Sequence, residues 1–418
     1  MASGAATRVG LYFGLLQLVF GLTWVGYVIY LPQLAAQAGI NRGVVGWLLV
    51  LDQIIFVLCD WAAGIAVDRV AKVVGRVGMV VVRVTAVSGL AFLLLPFVAR
   101  FGAGVFVSLI VVWAITSSAL RAPPLALLGR YTPVSQQPWV GSLFVVGAGL
   151  ATALTPFLAG RITAYDPRIL FGASALSVVA VTATIVWAEK TLERAAPPEK
   201  DPPREIRFVT FLVFLAGVLL LQIGFQVHAS INAQPLFAKY ARPEQLPLLL
   251  SLFWVGFTLL TPLASLLAKR FGATVCVLMG ALVAAGSAGA AALASNVVSL
   301  GVAQFICGGA WGAVMVSVVA AAFAIGRNGS EGTAVGALFS VVALATTMRI
   351  ALVTAHADKV PAVASVLPWI PAVSWLSAAL LLLPVMLGDD TARLTWLSGG
   401  PTRRRAAGRT APGRRGRG

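Results

Sequence analysis

Five ionisable side chains fall inside the long apolar runs of this chain: Asp52, Asp60, Arg83, Arg121 and Arg349. A sixth group, Asp68, closes one of those runs and opens a basic link that carries Arg69, Lys72, Gly75 and Arg76. Charge in hydrocarbon is unfavourable unless it is paired or used, so these positions are the first candidates for chemistry. Carboxylates there can carry protons or cations, and arginines can hold anions or lock the acids. Bond-making chemistry is not indicated. The sequence has no Walker-type phosphate loop and no His/Cys/acid cluster at metal-ligand spacing, so neither an enzyme nor a cofactor or metal is expected.

Helical rise sets the heights of these groups. Asp60 precedes Asp68 by eight residues, about 12 Å along an α-helix. Arg83 lies seven residues past Arg76 and Arg121 nine residues before Arg130, so either arginine can meet Asp60. The pair reads as a structural ion pair or as a proton-coupling carboxylate. Asp52 and Arg349 sit at matching depths near the opposite ends of their helices. They are expected to pair across two halves of the molecule and to close an outer gate, unless each finds a partner nearer to hand.

The elements that position these groups are membrane helices. Apolar residues make up 59% of the 418 and charged residues 11%, with 42 glycines; a soluble domain is about one quarter charged. Continuous rather than alternating apolar runs exclude a β-barrel. Twelve runs are long enough to span a bilayer, at roughly 11–35, 44–67, 77–98, 102–128, 139–160, 168–188, 207–238, 246–268, 273–294, 298–325, 333–356 and 366–387. The charged, proline-rich stretch near 190–206 separates six runs from six. The expected organisation is a six-helix bundle over 1–189, a linker over 190–206, a second bundle over 207–388 and a basic tail over 389–418.

With the N-terminus in the cytoplasm, 21 of the 31 Lys and Arg fall on that side and 7 on the other. The positive-inside rule then places both termini in the cytoplasm. Seven of the cytoplasmic arginines lie in the tail over 401–418, which reads as a topogenic segment touching anionic lipid rather than as a nucleic-acid arm. Met1–Arg8 with the long run after it is too long for a cleavable signal. Cys59, Cys276 and Cys307 read as small buried hydrophobes.

A wet cavity is expected near mid-membrane between the halves. Its candidate lining is Gln17, Trp24 and Tyr27 on the first helix, Trp113 on the fourth, and Gln222, Gln226 and Ser230 with Gly224, His228 and Asn232 on the seventh. Gln304 on the tenth joins them. Unpaired amides in lipid are costly, which favours an aqueous setting for the seventh-helix stripe. His228 and His356 read as solvated groups near helix ends, with coupling roles as the alternative.

Six plus six helices, a hydrophilic linker and Gly64-x-x-x-Asp68-Arg69 after the second helix resemble the major facilitator superfamily. The resemblance covers nearly the whole chain. It implies that Asp68 holds the two halves together on the cytoplasmic side, against the eleventh helix, and it implies a solute transporter working by alternating access. The spacing from Asp68 to Gly75 and the Pro123-Pro124-Leu-Ala126-Leu127-Leu128 segment with Thr132 look like the glycoside–pentoside–hexuronide:cation symporters and sucrose carriers. Gly129 and Arg130 stand where those relatives often carry acids.

The fifth-helix small residues (Ser142, Gly147, Gly149, Ala151, Thr155, Pro156, Ala159 and Gly160) are similar to drug antiporters, or serve close packing. The expected protein is a monomer in a bacterial-type inner membrane. It binds a small molecule and is driven by protons or sodium, through Asp52 or Asp60. The alternatives are an efflux antiporter and a non-transporting assembly factor of the same fold. Arg349 points to an anionic solute and the two acids to a cation, and these indications offset one another.

Overall fold

The computed structural model describes residues 2–73, 76–195, 208–327 and 329–387, and their regular structure is helical, with no strand among them. Eleven helical spans are long and apolar enough to cross a membrane. They are α1 (Gly4–Gln37), α2 (Arg42–Val73), α3 (Val77–Phe101), α4 (Ala103–Tyr131), α5 (Val134–Ala159), α6 (Pro167–Ala195), α7 (Phe208–Ala238), α8 (Pro243–Phe271), α9 (Ala273–Ala292), α10 (Val297–Gly326) and α11 (Glu331–Thr354). The shorter apolar helix α12 (Ile370–Leu387) completes twelve. Helices are required because lipid offers no partner to a free backbone amide.

Several boundaries move from their expected places. Helix α1 begins upstream of residue 11. Helix α6 continues past 188, where Leu192 is buried and Glu189 accepts hydrogen bonds from Val77 N and Gly78 N at 2.9 Å each. Glu189 therefore caps the start of α3, and the last residue of the expected first bundle is part of the packing. Residues 190–195 of the expected linker are helical. The rest of that linker, Gly75 and the tail over 389–418 lie outside the described residues.

Two seams join the first six helices to the last six. Helix α2 runs against α11, and α5 runs against α8. Exchanging each helix with the one six places later turns the first seam into the second, as a pseudo-two-fold arrangement requires. In the α2–α11 seam a Cβ on Gly64 would stand 2.1 Å from Gly332 O, and one on Gly336 2.5 Å from Asp60 O. Only glycine lets two backbones approach so closely. Further along the same seam Gly46 faces Thr354. In the α5–α8 seam Ser251 Oγ donates to Ala153 O at 2.9 Å, and Gly149 lies against the Phe257 ring.

Candidate functional site

Asp68 sits at the end of α2 and is only 6% exposed. Its Oδ1 accepts from Gly332 N at 2.8 Å, and its Oδ2 accepts from Thr333 N at 2.8 Å and Thr333 Oγ1 at 2.7 Å. These are first-turn donors of α11 that have no intrahelical acceptor. A carboxylate there also meets the positive end of the helix dipole. One side chain of the first bundle thus caps a helix of the second, 264 residues away. Arg69 and Arg76 are exposed beside it. On the same side Gly129 of α4 lies against Phe323 of α10, and Gly141 of α5 against Val319 of α10. The two halves are in contact on this face, which also holds the first turns of α1.

Deeper in α2, Asp60 is fully buried, and Arg121 Nε stands 3.1 Å from its Oδ2. Charge proximity rather than an aligned hydrogen bond holds this pair, since neither Asp60 oxygen has a geometrically satisfied donor. The local sequence explains where Arg121 sits. Pro123 and Pro124 follow it, and proline lacks the amide that continues a helix. Helix α4 therefore passes through a 3-10 turn at Ser118–Leu120 before resuming at Ala122. The Leu120 carbonyl, which Pro124 cannot satisfy, accepts instead from Gln17 Nε2 at 2.9 Å.

The Arg121 guanidinium lies 4.4 Å from the Phe56 ring centroid and 5.6 Å from that of Phe339 on α11. The ion pair thus touches the opposite half through a cation–π contact. Arg83 takes no part in it. It is exposed on α3, among the exposed residues Met79, Val80 and Val87, so the choice between the two arginines falls to Arg121.

Asp52 is also fully buried, a little over two turns further from Asp68 than Asp60. Its Oδ2 accepts from Tyr27 Oη at 2.7 Å, and its Oδ1 has no partner. Tyr27 is held in an aromatic group with Trp24 and Trp113 at centroid distances of 5.4 and 4.5 Å. Trp24 stacks on Trp113 at 5.7 Å and meets Phe56 at 5.6 Å.

Arg349 does not pair with Asp52 in this structure. Its Nε donates to Gln226 Oε1 on α7 at 2.8 Å, within its own half. Gln226 Nε2 donates in turn to Thr346 Oγ1 at 2.8 Å.

The remaining candidates divide by burial. Gln17 serves the α4 break. Gln222 Nε2 lies 3.4 Å from Met315 Sδ, and Asn232 Nδ2 donates to Leu367 O at 2.8 Å. His228 is not a solvated cap: it is 1% exposed, and its Nε2 lies 3.0 Å from Gln304 Oε1. Ser230 is exposed and leaves the stripe that Gln222 and Gln226 begin. A π-helical turn at His228–Asn232 accounts for this, because one extra residue in the turn rotates everything beyond it. His356 stands at a helix end in a left-handed conformation, with φ of 54°. Trp24, Thr346 and Arg349 are half-buried and Gln226 is buried. Phe56, Phe339, Thr333 and Thr346 were not among the sequence candidates. Phe56 is one turn from Asp60 and Thr346 one turn from Arg349, the one signal that could have marked them, whereas Phe339 and Thr333 carry no such signal.

The Major Facilitator Superfamily family model matches residues 13–348. The chain belongs to this superfamily. No curated protein sequence matches it. Solved structures do. A bacterial homologue of the iron transporter ferroportin in an outward-facing state aligns with a TM-score of 0.71 at 12% identity, covering 91% of this chain and 99% of that one. The proton:xylose symporter XylE aligns at 0.68 and 14%, covering 91% and 95%. The human organic anion transporter MFSD10 aligns at 0.67 and 14%, covering 90% and 99%. At these identities the likeness is one of fold. This major facilitator superfamily protein is a multi-pass membrane transporter, not an enzyme.

Proposed function

We propose that the protein is a secondary active transporter that moves a small solute across an inner (plasma) membrane by alternating access, coupled to protons. The observation that carries this reading is Asp52: a fully buried carboxylate with one hydroxyl partner, no ion pair and one oxygen without a donor. A group so placed changes its contacts most when the surrounding helices rock, and a coupling ion needs such a difference between two states. Asp60, beside Arg121, is the second carboxylate in the path. The basic side of the molecule is the cytoplasmic one in this reading, and Asp68 is the inner latch.

Symport in the manner of the glycoside–pentoside–hexuronide:cation branch is favoured over efflux. The fifth-helix small residues, which suggested antiport, are occupied in packing: Gly147 against Gly14 O and Gly149 against Phe257. The test is solute accumulation in vesicles under an imposed pH gradient. Accumulation that follows the gradient, and an Asp52→Asn variant that takes up solute without following it, support the reading. Absence of flux under any gradient points to an assembly factor of the same fold.

A further inference from the structure

We propose that Arg349 recognises an anionic group, a carboxylate or a phosphate, on the transported solute; this deepens the transporter reading and rests on it. By charge alone the sequence leaves the solute undecided, because buried acids and a buried arginine point in opposite directions. The structure separates them. Asp60 has Arg121 beside it, and Asp52 has the Tyr27 hydroxyl. Arg349 forms no ion pair with any described carboxylate. A guanidinium inside a membrane span without a counter-charge is unfavourable, and here the fold supplies only a neutral amide. The missing negative charge has to arrive with something bound.

The surroundings of Arg349 are built for that. Thr346 Oγ1 donates to Val342 O at 2.8 Å and accepts from Gln226 Nε2, and Gln226 Oε1 accepts from Arg349 Nε. Gln226 itself is 7% exposed. This chain of bonds fixes the plane of the guanidinium through Nε and leaves both Nη groups for a forked contact with two oxygens, the arrangement in which arginine binds carboxylates and phosphates best.

Helix phase places the group inside the protein. Leu344 and Met348 are exposed and mark the lipid side of α11. Phe339 and Thr346, seven residues apart, share the line that faces the other half. Arg349 is next to that line, on the side of α7. A second feature converges here. The π-helical turn of α7 begins two residues after Gln226 and is pinned by the His228–Gln304 and Asn232–Leu367 contacts. Such turns recur at functional sites.

The experiment is thermal unfolding of the full-length protein in detergent with lactate, citrate, inorganic phosphate or glucose 6-phosphate. Each is compared with sodium chloride at equal ionic strength, with glucose and choline as uncharged and cationic comparators. At least one anion is expected to raise the Tm of the wild type. Arg349→Lys keeps the charge and loses the fork. It should need roughly tenfold more of the same anion, the loss of one charge-assisted hydrogen bond. Arg349→Met should be no less stable than the wild type without anion.

Equal shifts in wild type and Arg349→Lys overturn the proposal, as does a wild type that no anion shifts. A shift given by phosphatidylglycerol alone assigns the site to a lipid headgroup and also overturns it. A large fall in Tm, or failure to fold, in Arg349→Met means that the protein supplies its own counter-charge, with the same consequence. Flux plays no part in these readouts, so failure of proton coupling and failure of anion recognition are separately visible.

Discussion

Asp68 makes three hydrogen bonds to the first turn of α11, and their loss can be weighed. Removing a helix-capping carboxylate costs about 1–2 kcal/mol. Asp68→Ala should therefore lower the midpoint of thermal unfolding measurably; an unchanged midpoint would show that the cap contributes nothing. Tyr27→Phe acts on a different balance. It leaves both Asp52 oxygens without a donor inside the bundle, a penalty of about 1–3 kcal/mol, and adding Asp52→Asn to it should recover stability, because the amide removes the buried charge. If the double variant is no more stable than Tyr27→Phe, Asp52 is solvated rather than dependent on the hydroxyl. At this scale the sequence was a fair guide to Asp68 and to the heights of Asp60 and Arg121, since both follow from counting along helices. It left Arg83 and Arg121 open as partners of Asp60 and did not find Tyr27 as the partner of Asp52. Rotation about a helix axis decides those contacts, and an apolar run that is hydrophobic on every side carries little record of its rotation.

Helices in this protein are brought together by glycine more than by large side chains. A Cβ on Gly147 of α5 would lie 1.9 Å from Gly14 O of α1, against backbone that cannot swing aside. Gly147→Val should separate the two helices at a cost of at least about 1–3 kcal/mol. The expected readout is loss of the monodisperse peak in size-exclusion chromatography; a normal peak would show that α1 and α5 can part without consequence. The twelve spans themselves were legible, because bilayer thickness fixes their length. Two local departures were less so. The α4 break can be read from Pro123-Pro124 once the fate of the Leu120 carbonyl is asked. Nothing in Val227–Ala233 announces the π turn of α7, which arises from tertiary contacts made by His228 and Asn232.

Across the whole molecule, the seams α2–α11 and α5–α8 hold while the face near Asp68 is shut. If transport requires that face to open, tying it should stop transport. Gly141 on α5 and Val319 on α10 are suited to this, as a Cβ at Gly141 would lie 3.3 Å from Val319 Cγ1, so a sulfur in the place of Cγ1 comes within reach of a disulfide. In a background lacking Cys59, Cys276 and Cys307, Gly141→Cys with Val319→Cys should form a bond that abolishes flux, and reductant should restore it. Full flux with the bond intact would exclude opening on that side.

The α2–α11 contact has a mechanical side as well. Where Gly64, Gly332 and Gly336 meet, carbonyls and methylenes lie flat against one another with no interlocking teeth. Two smooth surfaces can turn through small angles without any rotamer having to jump, so this joint offers little friction to rocking. The resistance, and with it the rate, is then set by the Asp68 cap at the end of the seam rather than by the seam itself.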